Sequence, residues 1–342
     1  MSYPRIVAVS LLVLVAAIVV AGPAAFAAGA AGASAATVPS SRWVAVSVAT
    51  LWVAPRLTRP VDAPSAADPA DPRAWVAGMT VAQKRWLVGK LETQVLYGTR
   101  VRLLATSGAW SRIAVPSQPT PRNRWGYPGW LPTAQLNAEP PETPLATAPR
   151  TAVIRRPTAW ICATPSLSGR ILEASYGTRF PAVSWTTTCA EVVLLDGQHR
   201  YVRRAAVALH HPGTAWPKLS GARLVAEAKR FRGRQYLWGG ASGFGFDCSG
   251  FTHTLFRALG KTIPRDAGPQ HATGESIATR AALRPGDLVF FRAATGAIHH
   301  VGLYIGGGKM IHAPRTGEPV QISSIYAPPY YGEFAGGRRF AP

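Results

Sequence analysis

Long apolar runs are rare in this chain of 342 residues. After the segment from Ile6 to Ala21, no stretch approaches the ~18 uninterrupted apolar residues that a membrane helix needs. Arg5 precedes that segment, and residues 25–27 (Ala-Phe-Ala) follow it as a small-x-small cleavage site, which is the pattern of an export signal. We therefore expect residues 1–27 to be a signal peptide, with no stable membrane span after its cleavage. An uncleaved N-terminal anchor is the alternative.

Acidic residues are also scarce, since 16 Asp and Glu stand against 37 Lys and Arg, for a formal net charge of +21. The basic residues are scattered, without a basic tail or an aromatic–basic stripe, and this argues against nucleic-acid binding. For an exported protein, the excess charge instead favours anionic cell-wall polymers as a partner. We expect a secreted or cell-wall-associated protein. A generally basic composition with no specific partner is the alternative.

Cysteine is used three times. Cys162 and Cys189 lie in one segment, and in an oxidising compartment they are predicted to form a disulfide. Cys248 is then the thiol left over. The chain has no Cys-x-x-Cys pair, which argues against a metal site, and residues 306–309 (Gly-Gly-Gly-Lys) lack the Ser or Thr of a phosphate loop. We expect no metal and no cofactor.

The first half of the chain consists of short β-type runs broken by turn residues, in two segments, 42–138 and 151–210. A flexible lead-in (28–41) precedes the first segment, and an insertion (56–91), possibly helical from Thr80, interrupts it. A proline-rich linker (139–150) separates the two. The tetrapeptide Tyr-Gly-Thr-Arg occurs at 97–100 and again at 176–179. Segments of this length with several short strands suit small β-barrels, and both resemble bacterial Src-homology-3-type domains.

The remainder, 219–342, follows a second linker (211–218) and carries two predicted helices and then a series of strands. The first helix can begin after Ser220. Helices followed by a meander of strands are typical of an α+β domain. The sequence thus predicts a multidomain protein in which two β-barrels precede an α+β domain.

Cys248 lies at the start of the second of these helices, behind a glycine-rich, aromatic loop. Asp247 is a plausible N-cap, and Phe251 and Leu255 begin a helical apolar face that stops at Gly260. A thiol in the first turn meets unpaired N–H groups and the helix dipole, so we expect a lowered pKa and a nucleophilic thiolate. The alternative is a small buried core residue.

A cysteine nucleophile needs a base and a group that orients the base, and histidine suits the first role. His300 and His299 begin a predicted strand and must point to opposite faces. If residues 306–308 form a three-residue loop, His300 and His312 become diagonal neighbours on one face of a hairpin, ~7–8 Å apart or less. A two-residue turn would separate them. His253, off the apolar face of the Cys248 helix, is expected to be exposed.

The motifs of residues 219–342 together resemble the NlpC superfamily of cell-wall cysteine peptidases. They are Tyr236-Leu-Trp-Gly-Gly, Asp247-Cys-Ser-Gly-Phe, Arg284-Pro-Gly-Asp-Leu, His300-Val-Gly-Leu-Tyr-Ile-Gly and Met310-Ile-His-Ala, in the expected order. The resemblance implies a papain-like α+β fold. It also implies hydrolysis of the γ-D-glutamyl bond to a diamino acid in peptidoglycan stem peptides or muropeptides.

Residue by residue, the resemblance implies that Cys248 is the nucleophile, His300 the base and His312 the residue that orients it. Tyr236 matches a tyrosine beside the oxyanion site. Substrate contacts are implied at four further positions: Asp247, Ser249, Arg265 and Asp266.

The barrels could restrict the substrate to fragments with a free N-terminal L-alanine, as in multidomain relatives. From their chemistry, Asp62 or Tyr97 could then contact the amine. Two other functions remain open, a wall-binding protein without activity and a thiol acyltransferase.

Overall fold

The structure is a computed structural model that describes residues 39–139, 145–211, 213–214 and 216–341. The predicted signal peptide, 1–27, lies outside the described residues, as do most of the lead-in and parts of both predicted linkers. Among the described helices, none has both the length and the apolar character that crossing a membrane requires.

The first seven strands form one antiparallel sheet with the order β3-β2-β6-β5-β4-β1-β7. Its strands are β1 (Ser41–Val44), β2 (Val48–Trp52), β3 (Leu91–Leu96), β4 (Arg100–Ser107), β5 (Trp110–Val115), β6 (Tyr127–Pro132) and β7 (Leu136–Asn137). Side chains that alternate along these strands meet inside the curved sheet, with Val44, Leu51, Val101 and Ile113 fully buried there.

A second sheet repeats the first with every strand number raised by seven, in the order β10-β9-β13-β12-β11-β8-β14. Its strands are β8 (Arg150–Ile154), β9 (Thr158–Cys162), β10 (Arg170–Ser175), β11 (Arg179–Trp185), β12 (Cys189–Val193), β13 (His199–Arg203) and β14 (Val207–His210). The repeated Tyr-Gly-Thr-Arg tetrapeptide leads into β4 in one sheet and β11 in the other. The two halves therefore share one topology, which makes them a structural repeat.

The insertion between β2 and β3 is helical. It contains a 3-10 turn at Pro60–Asp62 and the helices α1 (Ala63–Ala66), α2 (Pro72–Gly78) and α3 (Val81–Trp86). Thr80 caps α3 in a capping box with Gln83, since the Thr80 hydroxyl accepts from the Gln83 N–H and the Gln83 side chain accepts from the Thr80 N–H. This agrees with the predicted helix start.

The C-terminal part combines helices with a second kind of sheet. Its helices are α4 (Gly221–Lys229), α5 (Cys248–Ala258), α6 (Ala267–His271) and α7 (Tyr330–Glu333). Its strands are β15 (Ala241–Ser242), β16 (Gly245–Phe246), β17 (Glu275–Ile277), β18 (Leu288–Arg292), β19 (Ile298–Gly306), β20 (Lys309–His312), β21 (Gln321–Ser324) and β22 (Phe334–Arg339). Six of these strands form an antiparallel sheet in the order β17-β22-β18-β19-β20-β21. Short 3-10 turns occur at Thr133–Gln135, Arg204–Ala206 and Arg280–Ala282.

Helix α5 packs on β19, and the two are held together by an aromatic cluster. Phe251 on α5 meets Phe246 and Phe231 edge-on, with ring centroids 5.3 and 6.0 Å away. Edge-to-face packing of such rings adds stability beyond the burial of their area. Val301 and Leu303 of β19 belong to the same buried core as these rings, so the start of α5 packs beside the strand that carries His300.

The first barrel docks on the loop before α5 through β3. Trp238 Nε1 donates to the Leu91 carbonyl over 3.1 Å, and the Ser242 hydroxyl donates to Gln94 Oε1 over 2.8 Å. The second barrel reaches α4 through an ion pair between Arg155 and Glu227. Two β-barrel domains thus precede an α+β domain, as the sequence predicts. We propose that the segments between the three sheets are the domain boundaries anticipated from the sequence.

Candidate active site

Helix α5 begins where the sequence places its N-cap. The Asp247 carboxylate accepts a hydrogen bond of 2.6 Å from the Gly250 N–H, so Cys248 is the first residue of the helix. A Cβ at Gly250 would lie 2.0 Å from the Gly240 carbonyl oxygen and would clash with it, so this position requires glycine. The Gly239-Gly240 turn and the Cys248 turn are therefore packed backbone to backbone.

The two histidines meet on the β19–β20 hairpin. Leu303 pairs with Ile311 and Tyr304 with Met310, which is the predicted register, but a β-bulge after Tyr304 lets Gly306 pair with Lys309, so the turn itself is the two residues Gly307-Gly308. His300 and His312 consequently share a face, and His300 Nε2 lies 2.7 Å from His312 Nδ1. His299 points the other way, is exposed, and contacts Glu333 over 3.1 Å. The choice of His300 over His299 for the interior agrees with the prediction, whereas the predicted three-residue loop is wrong. A β-bulge beside the two-residue turn keeps His300 and His312 on one face.

The hydrogen-bond chain continues beyond the pair, because His312 Nε2 lies 3.0 Å from the Ser323 hydroxyl. If His300 donates through Nε2–H to His312 Nδ1, and His312 through Nε2–H to Ser323, then His300 Nδ1 is free to accept a proton. Burial lowers the pKa of His300 well below its ordinary value and that of His312 to about 4. Both rings are therefore neutral near neutral pH.

Two tyrosines complete the walls around this pair. The Tyr330 ring stacks on His300 with centroids 5.8 Å apart and meets His312 edge-on at 5.3 Å. Tyr236 is buried, and burial together with the negative charges of Cys248 and Asp247 raises its pKa, so its hydroxyl stays protonated. A protonated phenol close to the sulfur can donate to an oxyanion.

The Cys248 thiol is half-buried, packs against the aromatic core, and lies beside the Val301 N–H that follows His300. Burial raises the pKa of the thiol to about 12, and the Asp247 carboxylate adds to the increase, whereas the Val301 and Ser249 N–H groups and Arg265 oppose it. The expectation of a lowered pKa is therefore wrong for the resting enzyme. Desolvation outweighs the field of the helix terminus.

Arg265 is hydrogen-bonded to the residues on either side of Cys248. Arg265 is 1% exposed and donates to both oxygens of Asp247, over 3.0 and 2.6 Å. It also donates to the Ser249 hydroxyl and to Thr93 of the first barrel. The structure thus brings Arg265 together with Asp247 and Ser249, the two residues that flank Cys248. Arg265 holds these two residues in place.

Comparisons with known proteins give this arrangement a family. The model of the NlpC/P60 family matches residues 233–339. The Gamma-D-glutamyl-L-lysine dipeptidyl-peptidase of Bacillus cereus is 42% identical over 89% of this chain and 92% of its own length. The chain belongs to the NlpC/P60 family. The protein of the same name from Bacillus subtilis is 36% identical over 86% of this chain and 96% of its own.

A solved structure extends the likeness to the whole fold. The crystal structure of an NlpC/P60 family protein from Bacillus cereus superposes with a TM-score of 0.84 at 42% identity, covering 89% of this chain and all of that one. The barrels followed by an NlpC/P60 domain are therefore the architecture of this chain too. It is an NlpC/P60 peptidoglycan hydrolase, an enzyme, with peptidoglycan-derived substrates.

In this NlpC/P60 enzyme the first barrel reaches the site at a point that the sequence did not suggest. The Tyr127 hydroxyl donates to Asp266 Oδ1 over 3.1 Å, and Arg122 donates to Tyr127 over 3.0 Å and to both oxygens of Glu92. Asp266 caps α6 without a side-chain bond to it, and burial raises its pKa. Tyr127 and Glu92 carry no spacing signal, because only the docking of two domains brings them to Asp266.

The structure does not bring Asp62 or Tyr97 to this site. Asp62 is buried in the insertion, where burial acts to raise its pKa but hydrogen bonds from Arg59 and Trp75 outweigh this and hold the pKa below its usual value. The Tyr97 hydroxyl accepts from the Leu195 N–H over 2.8 Å, between the two barrels. Both carboxylate and phenol are already engaged elsewhere, so the proposed amine contacts at these residues are wrong.

The predicted disulfide is also absent, since Cys162 and Cys189 are both free. Cys162 pairs with Tyr201 on one side of β13, and Cys189 pairs with Arg203 on the other side. Strands two positions apart in a sheet lie ~9–10 Å apart, and a disulfide needs Cα atoms within about 7 Å. Membership of one barrel is not enough to bring two cysteines together.

Within the described ranges, no three His, Cys, Asp or Glu side chains come together as a possible metal site. His300 is hydrogen-bonded to His312, and Val301, the residue after His300, directs its N–H to the Cys248 thiol.

Proposed function

We propose that this enzyme cuts the γ-D-glutamyl–diamino-acid bond of peptidoglycan fragments that begin with a free L-alanine. Two relatives that match this chain over most of its length carry the name Gamma-D-glutamyl-L-lysine dipeptidyl-peptidase. The observation that carries the proposal is the hydrogen bond from Tyr127 to Asp266, by which the first barrel closes one end of the site beside a carboxylate.

Cys248 attacks the scissile carbonyl carbon while its thiol proton passes to His300 Nδ1. The carbonyl oxygen becomes an oxyanion, for which the Tyr236 hydroxyl and the Cys248 N–H are the donors. The amine of the diamino acid then leaves with the proton from His300, and a thioester remains. Water attacks the thioester, gives a proton to His300, and the thiol is restored as the carboxylic acid departs.

The resting enzyme holds the proton on sulfur, since the thiol pKa is about 12 and both histidines have lowered pKa values. His300 therefore acts as a general base during attack. His312 accepts from His300 and stabilises the imidazolium that forms, and Ser323 holds His312 in the required tautomer.

The closed end of the site supports selectivity for a free amine. Asp266 lies 4.0 Å from Arg265 and keeps a partly exposed carboxylate beside Tyr127, and Glu92 lies beyond it. An ammonium group placed there would meet the opposite charge of this partly exposed carboxylate. An extended glycan at the same point would have to displace the barrel.

Mass spectrometry of defined peptides tests the proposal. The full chain is incubated with L-Ala-γ-D-Glu-L-Lys-D-Ala, with its N-acetylated form and with intact sacculi. We expect the dipeptide L-Ala-γ-D-Glu from the free peptide alone. Equal cleavage of the acetylated peptide would refute the selectivity, and a product joined to an added amine would instead indicate acyl transfer.

Single substitutions test the role that we propose for each side chain. Cys248→Ala and His300→Ala should abolish release of the dipeptide, whereas Tyr127→Phe should raise KM for the free peptide by about tenfold, the value of a lost charge-assisted hydrogen bond. Tyr201→Phe, on β13 of the second barrel, is the matched control. Undiminished release by Cys248→Ala would refute Cys248 as the nucleophile.

We further propose that the enzyme is exported and held on anionic wall polymers, since a murein endopeptidase of Escherichia coli is among its relatives and its charge is strongly positive. Fractionation of cells that express the tagged full chain would find it in the wall or the medium. Recovery from the cytoplasm alone would refute export.

A further inference from the structure

A cavity lies where the two barrels meet the C-terminal end of α5. Its volume is about 610 Å³, and its lining includes residues of both barrels together with Arg257 of α5. Arg257 is nine residues beyond Cys248, which amounts to ~14 Å of helix. The cavity is thus separate from the peptidase site, and its volume suits a small organic ligand.

The repeated Tyr-Gly-Thr-Arg tetrapeptides form two of its walls. Residues 97–100 line it from the first barrel, and Thr178 and Arg179 line it from the second. Gly98 and Gly177 both have positive φ, so each tetrapeptide turns sharply. A Cβ at Gly98 would lie 3.7 Å from the Arg179 carbonyl oxygen, which shows how closely the two turns approach.

Arg257 and Arg179 bring positive charge into this cavity without an acidic partner. In the described part of the chain, the Arg257 side chain makes no hydrogen bond or ion pair. Arg179 donates to the Arg257 carbonyl over 3.1 Å and stacks on Trp216 at 4.7 Å, while its buried Nε has no partner among the residues that the structure describes. Burial and the charge of Arg179 lower the pKa of Arg257 to about 10. A bound anion would relieve both groups.

Other lining groups fit the same kind of ligand. Thr178 is 1% exposed, and its hydroxyl has no hydrogen-bond partner within the described residues. Arg100 adds a further positive charge, and Phe180 and Leu194 supply apolar surface. Asp196, which acts electrostatically on Tyr97, is exposed and contacts neither arginine.

We propose that this interbarrel cavity binds a small organic anion, with its carboxylate or phosphate on Arg257 and Arg179 and its body against Phe180 and Leu194. The ligand would contact both barrels and the catalytic helix at once. The site does not depend on the peptidase assignment.

Isothermal titration calorimetry of the full chain tests the site with two probes, glucose 6-phosphate for an organic phosphate and citrate for a carboxylate. We expect one probe to bind the wild type, and the better probe identifies the source. Arg257→Gln and Arg179→Gln should weaken its binding at least tenfold. Arg232→Gln, at an exposed arginine, should leave it unchanged.

Thermal unfolding distinguishes a variant that has lost the binding site from one that folds poorly. Without the probe, Arg257→Gln should unfold at a temperature equal to or above that of the wild type, because an unpaired, partly buried charge is gone. With the probe, the wild type and Arg232→Gln should gain stability, and Arg257→Gln should gain less. Absence of binding to either probe, or equal binding by Arg257→Gln, would overturn the proposal.

Discussion

At the scale of single residues, Ser323 is the last group of the hydrogen-bond chain that begins at His300. Its hydroxyl lies 3.0 Å from His312 Nε2. Ser323→Ala should lower kcat about two- to tenfold, the value of one hydrogen bond, and leave KM unchanged, since within the described residues the Ser323 hydroxyl is bonded to His312 alone. The measurement is steady-state hydrolysis of the free peptide.

Ser324→Ala is the control for this variant, because the Ser324 hydroxyl instead accepts from the Tyr326 N–H. Equal loss of kcat in both variants, or a change confined to KM, would contradict a positioning role for Ser323.

The lowered pKa values of the two histidines predict the acid side of the pH profile. Both rings must be neutral for His300 to accept the thiol proton, and burial holds the pKa of His312 at about 4 and that of His300 well below its ordinary value. We expect kcat/KM to stay level from pH 7 to about 5 and to fall as the pH approaches 4. Stopped assays at each pH, with circular dichroism to confirm folding, check this. A half-maximum at pH 6.5 would show that the imidazoles titrate as if solvated.

Whether a residue of the site could be predicted from the sequence depends on how far along the chain its partner lies. Asp247 as N-cap of Cys248 is a local feature and could be predicted. The shared face of His300 and His312 could be predicted only as one of two alternatives, because it depends on a β-bulge beside a two-residue turn. Tyr127 could not, because its partner Asp266 is 139 positions away in another domain. The raised pKa of the thiol depends on burial by several segments, and a helix start alone does not report burial.

At the scale of elements, helix α5 is more deeply buried than its sequence pattern indicates. His253, expected to be exposed, is 1% exposed. Its Nδ1 lies 2.8 Å from the Ile263 carbonyl, and Nε2 has no partner within the described residues. An amphipathic pattern predicts one buried face, but here Arg257 and Arg265 also lie near His253, and domain packing covers the second face.

His253 makes the stability of the enzyme depend on pH. Burial, and then the charges of Arg257 and Arg265, lower its pKa to about 3. Between 6.5 and 3 the unfolded chain therefore binds more protons, and the free energy of unfolding falls as the pH falls. From pH 7.5 to pH 5 the contribution of His253 is about 2 kcal/mol. His253→Asn, which retains an N–H for Ile263, should lose that part of the pH dependence.

Urea denaturation of the full chain at several pH values measures this effect. His211→Asn, at an exposed histidine, is the matched control and should follow the wild type. A His253→Asn protein with the same pH slope as the wild type would show that His253 is solvated in the native state.

At the scale of the whole molecule, the arrangement of domains follows from features that the sequence shows only in part. The repeat of Tyr-Gly-Thr-Arg at 97–100 and 176–179 predicts two related barrels, and their identical strand order agrees with it. The contacts between domains were not predictable, because they pair single side chains from distant strands. Glu173 of the second barrel, for example, binds Arg73 of the insertion in the first.

Glu227 of α4 is the strongest test of how tightly the second barrel is held. It is 6% exposed, binds Arg155 of the barrel, and accepts from the Tyr176 hydroxyl over 3.1 Å. Glu227→Ala leaves a buried arginine unpaired and should destabilise the full chain by about 3 kcal/mol. Glu191→Ala, which removes a carboxylate bound to the exposed His199, should change stability by less than about 1 kcal/mol. Urea unfolding followed by both tryptophan fluorescence and peptidase activity measures this. Separate transitions for the two signals, or an unchanged midpoint in Glu227→Ala, would mean that barrel and peptidase unfold independently.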